Sequence, residues 1–343
     1  MLDILNPFSG PSATSEITEL RIYPIKSCRG ISIQKSFLTR QGLDLDRRWM
    51  FVDAKTMKFI TIRDISEMTL IDTSLDPTST NLTISIRSTP HSITIPARPS
   101  SSWLSSNTTI AQVNIWDYET DGYIYSDSIN SIFTTFFSKP VKLVYKGPTP
   151  RIVRGNGAPE ILGREESTNF PDVMPLLIAN EASLRELNER LKIKGHDEIG
   201  IERFRPNIIV RGADESSDLG STKGGLPSAW SEDSWKTVRI LFPGEQKSGI
   251  AQSIFGGGNK PLEIDVQARC ARCQVPNVDP DTAEKDKKEP WDTLVSYRRV
   301  DEGIKWKPCF GMLSCPRNEG EVEVGMRFEV TETTEKHKYV KGF

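Results

Sequence analysis

The chain has 343 residues, long enough for two modest domains, and 44 Lys plus Arg against 46 Asp plus Glu give it a formal charge of −2. With no basic block interleaved with aromatics and no acidic tail, nothing in it asks for nucleic acid as a partner. Five cysteines are too few, and odd in number, for a secreted disulfide scaffold, so a reducing compartment is expected.

Residues 1–15 are rich in Ser, Pro and Gly and read as a flexible tail. Asp3, Pro7 and Pro11 interrupt its apolar positions, and no run of about 18 apolar residues occurs anywhere, so neither a secretory signal nor a membrane span is expected. A mitochondrial presequence is not expected either, because Asp3 and Glu16 precede the first basic residue, Arg21. From Glu16 onward short strands are predicted. Leu20 and Ile22 alternate ahead of Pro24, Trp49 to Val52 form a continuous apolar run, and Leu82, Ile84 and Ile86 are separated from Ile93 and Ile95 by the turn-prone Ser88-Thr89-Pro90-His91. Such spacing predicts an antiparallel sheet curling toward a barrel.

Asp127 is placed to cap a helix whose Ile129, Ile132, Phe133, Phe136 and Phe137 recur at helical spacing, with Lys139-Pro140 as its stop and a strand over Val141 to Tyr145 behind it. Residues 146–170 read as a linker, dividing an N-terminal β-rich domain (16–150) from a second domain (151–339). In the second, Leu184, Leu187 and Leu191 share a helix face, Ser183 and Glu186 offer a capping box, and Gly195 closes the helix. Ile208 to Val210 is a buried strand, while residues 211–230 and 242–262 read as surface insertions. Gly256-Gly257-Gly258 makes no phosphate loop, because no Lys-Ser or Lys-Thr pair follows. A short helix over Glu289 to Arg298 and strands at Val322 to Val324 and Phe328 to Val330 complete a mixed α+β, mainly β pattern with no internal repeat.

Chemistry concentrates in Val266 to Pro280, which holds Arg269, Cys270, Arg272 and Cys273. A thiolate is both nucleophile and soft metal ligand, and an adjoining arginine favours it over the thiol. Cys273, directly after Arg272, is therefore the sharper candidate. The Cys-x-x-Cys spacing also fits half of a zinc centre, with Cys309 and Cys315 as the other half, although their separation is wide for that role. A redox pair would want its first cysteine at a helix N-terminus, and Gln274-Val275-Pro276 is a poor helix start. Two thiols packed as small hydrophobes are the bland alternative. Upstream, Tyr23 to Gly30, Asp46-Arg47-Arg48-Trp49 and Phe204-Arg205-Pro206-Asn207 each put cations at a strand end. Singly they read as surface charge; together with a thiolate they suit an anionic, phosphate-bearing cofactor.

These residues resemble the molybdenum cofactor sulfurase C-terminal (MOSC) domain family, and within it the mitochondrial amidoxime-reducing components and their fungal relatives, from about Glu16 to Val330. The resemblance is carried by Tyr23-Pro24-Ile25-Lys26-Ser27-Cys28, Asp46-Arg47, Asn180-Glu181-Ala182-Ser183-Leu184, Phe204-Arg205-Pro206-Asn207 and Cys270-Ala271-Arg272-Cys273. Val278-Asp279-Pro280-Asp281-Thr282, Glu289-Pro290 and Ser296-Tyr297-Arg298 extend it. It implies a MOSC-type β-barrel, an N-terminal β-rich domain packed on it, and a molybdenum cofactor (molybdopterin) between them. It implies Cys273 as the ligand to molybdenum and Asp172 as an aspartate close to the metal, a proton donor or a cofactor anchor. Lys26, Ser27, Arg47, Arg205 and Asn207 would hold the pterin and its phosphate, with Arg272 beside the metal ligand.

The implied activity removes oxygen from N-hydroxylated compounds (amidoximes, hydroxylamines, N-oxides), with electrons from a b-type cytochrome and its flavin reductase. From the cysteine usage and the N-terminal sequence the expected location is intracellular, cytoplasmic in preference to mitochondrial association. Departures from the family pattern are present. Asp172-Val173-Met174 stands where relatives have Asp-Thr-Ser, Ala271 where they can have serine, and Met312-Leu313 where they have Gln-Tyr. The membrane-anchoring helix of the animal proteins is not expected here. Two other readings stay open: a molybdenum cofactor or persulfide sulfur carrier akin to the sulfurase C-terminal part, and a zinc-stabilised β-barrel used for protein contacts.

Overall fold

Alternating apolar residues make the strand Thr14–Ile22 bury Ile17, Leu20 and Ile22. Ile17 and Leu20 fall three apart because the register against Ile208–Val210 shifts between Ile17 and Glu19. That pairing closes a barrel in the computed structural model, which describes residues 14–212, 226–242 and 260–342. Around the barrel the strands run Ile208–Val210, Leu176–Asn180, Cys309–Pro316, Leu262–Ala271, Trp235–Leu241, Arg327–Thr333 and Thr14–Ile22, seven in all, with Ile31–Ile33 added beside the last. Neighbours are antiparallel except Leu176–Asn180 and Ile208–Val210, whose parallel pairing needs a crossover. The helix Glu181–Ile193 lies in that connection. Cys309–Pro316 is buried along its whole length, and Met312 joins Val238, Ile264 and Phe328 in the main core.

Strands from both ends of the chain share this barrel. A separate antiparallel sheet orders Trp49–Asp53, Val141–Lys146, Tyr118–Tyr125 and Thr108–Ile115, and the helix Asp127–Phe136 packs Phe133 on Phe51 with ring centroids 4.9 Å apart. Ile71–Leu75, Asn81–Ile86 and Ser92–Pro96 form a meander, and Gly320–Glu323 pairs with Lys35–Thr39. At 38% strand and 20% helix, the fold is the expected mixed, mainly β class.

Local details differ from the sequence reading. Ser126, not Asp127, occupies the cap position of the helix Asp127–Phe136, and the Asp127 carboxylate instead takes Lys142 Nζ at 2.6 Å. The capping box of Ser183 and Glu186 does not form. Asn180 caps that helix, its side chain accepting from the Ala182 N–H at 3.0 Å. Ser183 lies inside the helix and donates to buried Glu232 at 2.6 Å, while Glu186 accepts from Trp230 and Tyr297. The stretch 146–170 contains a strand pair, Arg151–Ile152 with Ser167–Thr168, and the short helix Pro159–Leu162. Of the predicted tail, Thr14 and Ser15 are described, and both lie in strand. Most of the two predicted insertions, residues 213–225 and 243–259 with the triple glycine, lies outside the described residues. Among the described residues no helix is long and apolar enough to cross a membrane.

Candidate active site

Three of the candidate residues sit in left-handed backbone: Ser27, Arg47 and Arg205 have φ of +70°, +48° and +60°. Each costs a non-glycine residue about 1–3 kcal/mol, a strain that persists only where surrounding structure enforces it. Here it turns cations inward. Arg47 and Arg205 both lie over the Tyr23 ring, at 4.5 and 4.3 Å from its centroid. Arg47 Nη1 donates to Asp46 at 2.6 Å and to Asn207 Oδ1 at 3.2 Å, and its Nη2 donates to the Arg205 carbonyl at 3.0 Å. Arg205 Nη2 is buried without a hydrogen-bond partner. Burial first, and then Arg47, pull the Arg205 guanidinium down to about 10.

A second group gathers on Asp172. Lys26 Nζ donates to its carboxylate, Arg63 Nη2 donates to it at 2.8 Å, and Trp116 Nε1 at 2.9 Å. Burial disfavours the Asp172 charge, but Lys26 and Arg63 outweigh it and hold the carboxyl well below its usual range. Burial pulls Lys26 down to about 8, against the opposing pull of Asp172. Arg63 also faces Cys273. Burial opposes its charge, yet Asp172 and Cys273 beside it raise its guanidinium above the usual range. Phe170 joins the two groups, its N–H donating to the Arg47 carbonyl at 3.0 Å and its carbonyl accepting from Lys26 Nζ at 2.9 Å.

The fold thus links the eight candidates from the sequence in one region, with two changes of partner. Arg272 points its Nη1 at Cys270 Sγ, 3.1 Å away, and its Nη2 at the Phe204 carbonyl, 2.8 Å away, so the arginine facing Cys273 is Arg63. Asn207 spends its side chain within the protein, on Arg47, the Leu177 N–H and the Arg21 carbonyl, which makes it a support for Arg47. Sequence reading missed Arg63, Trp116 and the bridging Phe170, none of which has a local motif. Tyr23 stood inside a quoted motif and was passed over as a site residue.

The cationic excess tests whether an anionic cofactor fits. Lys26 and Arg63 pair with Asp172 and Arg47 pairs with Asp46, while buried donors on Arg205 and Arg272 lack partners. A phosphate-bearing pterin beside a half-buried thiol suits this donor set. No group of three or more His, Cys, Asp and Glu able to hold a metal occurs among the described residues, and Cys309 and Cys315 are buried, so the four-cysteine zinc centre finds no geometry. A cleft of about 520 Å³ lies elsewhere, between Thr39 to Leu45 and Pro150 to Asn169. A void of about 20 Å³ does adjoin Asp172, walled by Trp116, Arg151, Val173 and Gly342. The departures Val173, Met174 and Leu313 meet in one apolar cluster with Cys270 and Tyr339.

Comparison with known proteins agrees with this architecture. The chain is 27% identical over 318 residues to mitochondrial amidoxime-reducing component 1 of Homo sapiens, a match covering 90% of this chain and 81% of that protein. Its counterpart in Danio rerio is 25% identical over 315 residues, covering 90% and 82%. The molybdenum cofactor sulfurase of Arabidopsis thaliana is 30% identical over 307 residues, 87% of this chain but 32% of that protein. The pattern of the MOSC N-terminal beta barrel domain matches residues 14–140, and that of the MOSC domain matches residues 165–329. With both patterns present in this order over a closed barrel, the chain belongs to the MOSC domain family.

Proposed function

We propose that the chain is a molybdenum-cofactor-dependent reductase of N-hydroxylated compounds, with the cofactor held between the N-terminal part (16–150) and the MOSC part (151–339). The observation that carries this reading is the buried, unpartnered Arg205 Nη2 beside Arg47, in a region that also holds a half-buried thiol. The names of the relatives support the substrate class. When bound, the cofactor supplies the two-electron chemistry that takes oxygen from nitrogen.

The chain's own residues do the rest. Arg205, Arg47, Lys26, the Ser27 turn and Arg272 bind the pterin and its phosphate, and Asn207 holds Arg47 in place. Cys273 gives the metal one soft thiolate. Asp172, held ionised, has no proton to give and instead anchors Lys26, Arg63 and Trp116. Electrons come from a b-type cytochrome and its flavin reductase inside the cell.

The test is Cys273→Ala in protein made by a host that synthesises the cofactor. Reduction of benzamidoxime should vanish while the circular dichroism melt stays in place; unchanged turnover sinks the assignment. Metal analysis of the unaltered protein should give about one molybdenum per chain for a single-thiolate site. A second reading, a sulfur carrier, draws on the match to the plant sulfurase. A persulfide on Cys273 without reductase activity would favour it.

A further inference from the structure

Residues 334–342 form no regular element, yet they are held along their length. The His337 ring lies 2.6 Å from the Trp235 carbonyl and 3.2 Å from that of Gln267, and Arg269 Nη1 donates to the His337 carbonyl at 3.0 Å. The Tyr339 N–H donates to buried Asp301 at 2.8 Å. Asn156 clamps the next residues, donating to the Lys338 carbonyl at 2.8 Å and accepting from the Val340 N–H at 2.7 Å. Gly155, at φ +60°, and Gly303 permit this approach, because a Cβ on either would collide with the backbone of Val340 or Tyr339.

These anchors fix the backbone on both sides of Tyr339. Tyr339 is packed, with Val173 and Cys270, against the cluster of Met174, Leu177 and Leu313, and Val173 together with Gly342 of the same segment as Tyr339 walls the void beside Asp172. Burial pushes the Tyr339 phenol up to about 12, with Cys270 and Asp172 adding to the rise. We propose that residues 337–342 form a fixed strap and that Tyr339 is a specificity-determining residue, its ring walling the approach beside Asp172 and limiting the bulk of the N-hydroxylated compound admitted. The proposal rests on the reductase reading above. A wall pinned at both flanks by hydrogen bonds does not yield cheaply, so deleting the ring is what widens the approach.

The test compares the unaltered, cofactor-loaded full chain with Tyr339→Ala and Tyr339→Phe on benzamidoxime and hydroxylamine. Tyr339→Ala should raise the ratio of kcat/KM for benzamidoxime to that for hydroxylamine by roughly tenfold, through KM, the size of effect a reshaped apolar pocket gives. Tyr339→Phe should keep the original ratio. A second readout needs no turnover: alkylation of Cys270 by iodoacetamide, read by peptide mass spectrometry, should quicken in Tyr339→Ala and not in Tyr339→Phe. An unchanged alkylation rate in Tyr339→Ala overturns the strap, and faster alkylation with an unchanged substrate ratio reduces Tyr339 to packing alone and overturns its specificity role. If the unaltered protein reduces neither compound, the reductase reading fails and takes the specificity role with it, while alkylation still decides whether the strap covers the cluster.

Discussion

Lys26 carries the site's sensitivity to ordinary pH. Its folded value of about 8 lies below the usual 10.5 of a lysine because burial penalises the ammonium more than Asp172 supports it. Raising pH through about 8 therefore removes a cation that an anionic ligand needs. For stability the sign is opposite: the proton prefers the unfolded chain, so the penalty is complete below the folded value and fades as pH rises toward the unfolded one. Molybdenum retained after gel filtration should be lower at pH 9 than at pH 7, and Lys26→Arg should flatten the difference. Retention that ignores pH would remove Lys26 from the ligand set. The same scale explains one misreading. Arg272 adjoins Cys273 in sequence, but Leu262–Ala271 is extended at its end, and residues two apart there share a face while neighbours oppose. Arg272 accordingly meets Cys270. Arg63, brought in by tertiary packing alone, left no local trace.

Elements were legible where period decided them and obscure where side chains compete for a helix end. The apolar face Leu187 and Leu191 is buried as its spacing requires. Its start is fixed by Asn180, whose amide also donates to the Ser228 carbonyl and to Glu232. Glu232 is fully buried, and burial pushes its carboxyl up to about 7 against the help of Ser183. Asn180 thus caps a helix and satisfies a costly buried acid at once, a double duty no capping motif announces. Asn180→Ala should lose about 1–3 kcal/mol in urea unfolding at neutral pH. A loss indistinguishable from zero would show that other donors already serve both groups.

At the scale of the whole molecule, the alternating runs revealed a mainly β chain but not how the barrel closes. Closure pairs Thr14–Ile22 with Ile208–Val210 on one side and Arg327–Thr333 on the other, and short-range pattern holds no signal for partners so far apart. The cationic turns were likewise readable as strand ends, whereas their meeting on Tyr23 depends on that closure. A chain cut before Arg327 should leave Thr14–Ile22 and Trp235–Leu241 with bare edges, and should aggregate and hold no molybdenum. A soluble, metal-loaded product would contradict this.

The same closure sets an order of assembly. During synthesis at roughly 5–20 residues per second, the strand Thr14–Ile22 leaves the ribosome long before Arg327–Thr333 exists. Until that late strand arrives, Lys26 and Arg47 hang from a sheet whose final seam is open, and the strap carrying Tyr339, which follows the seam in the chain, has not been made. Synthesis thus supplies the cations first, the thiol next and the segment carrying Tyr339 last, so a large anion meets the least obstructed site before that segment is in place.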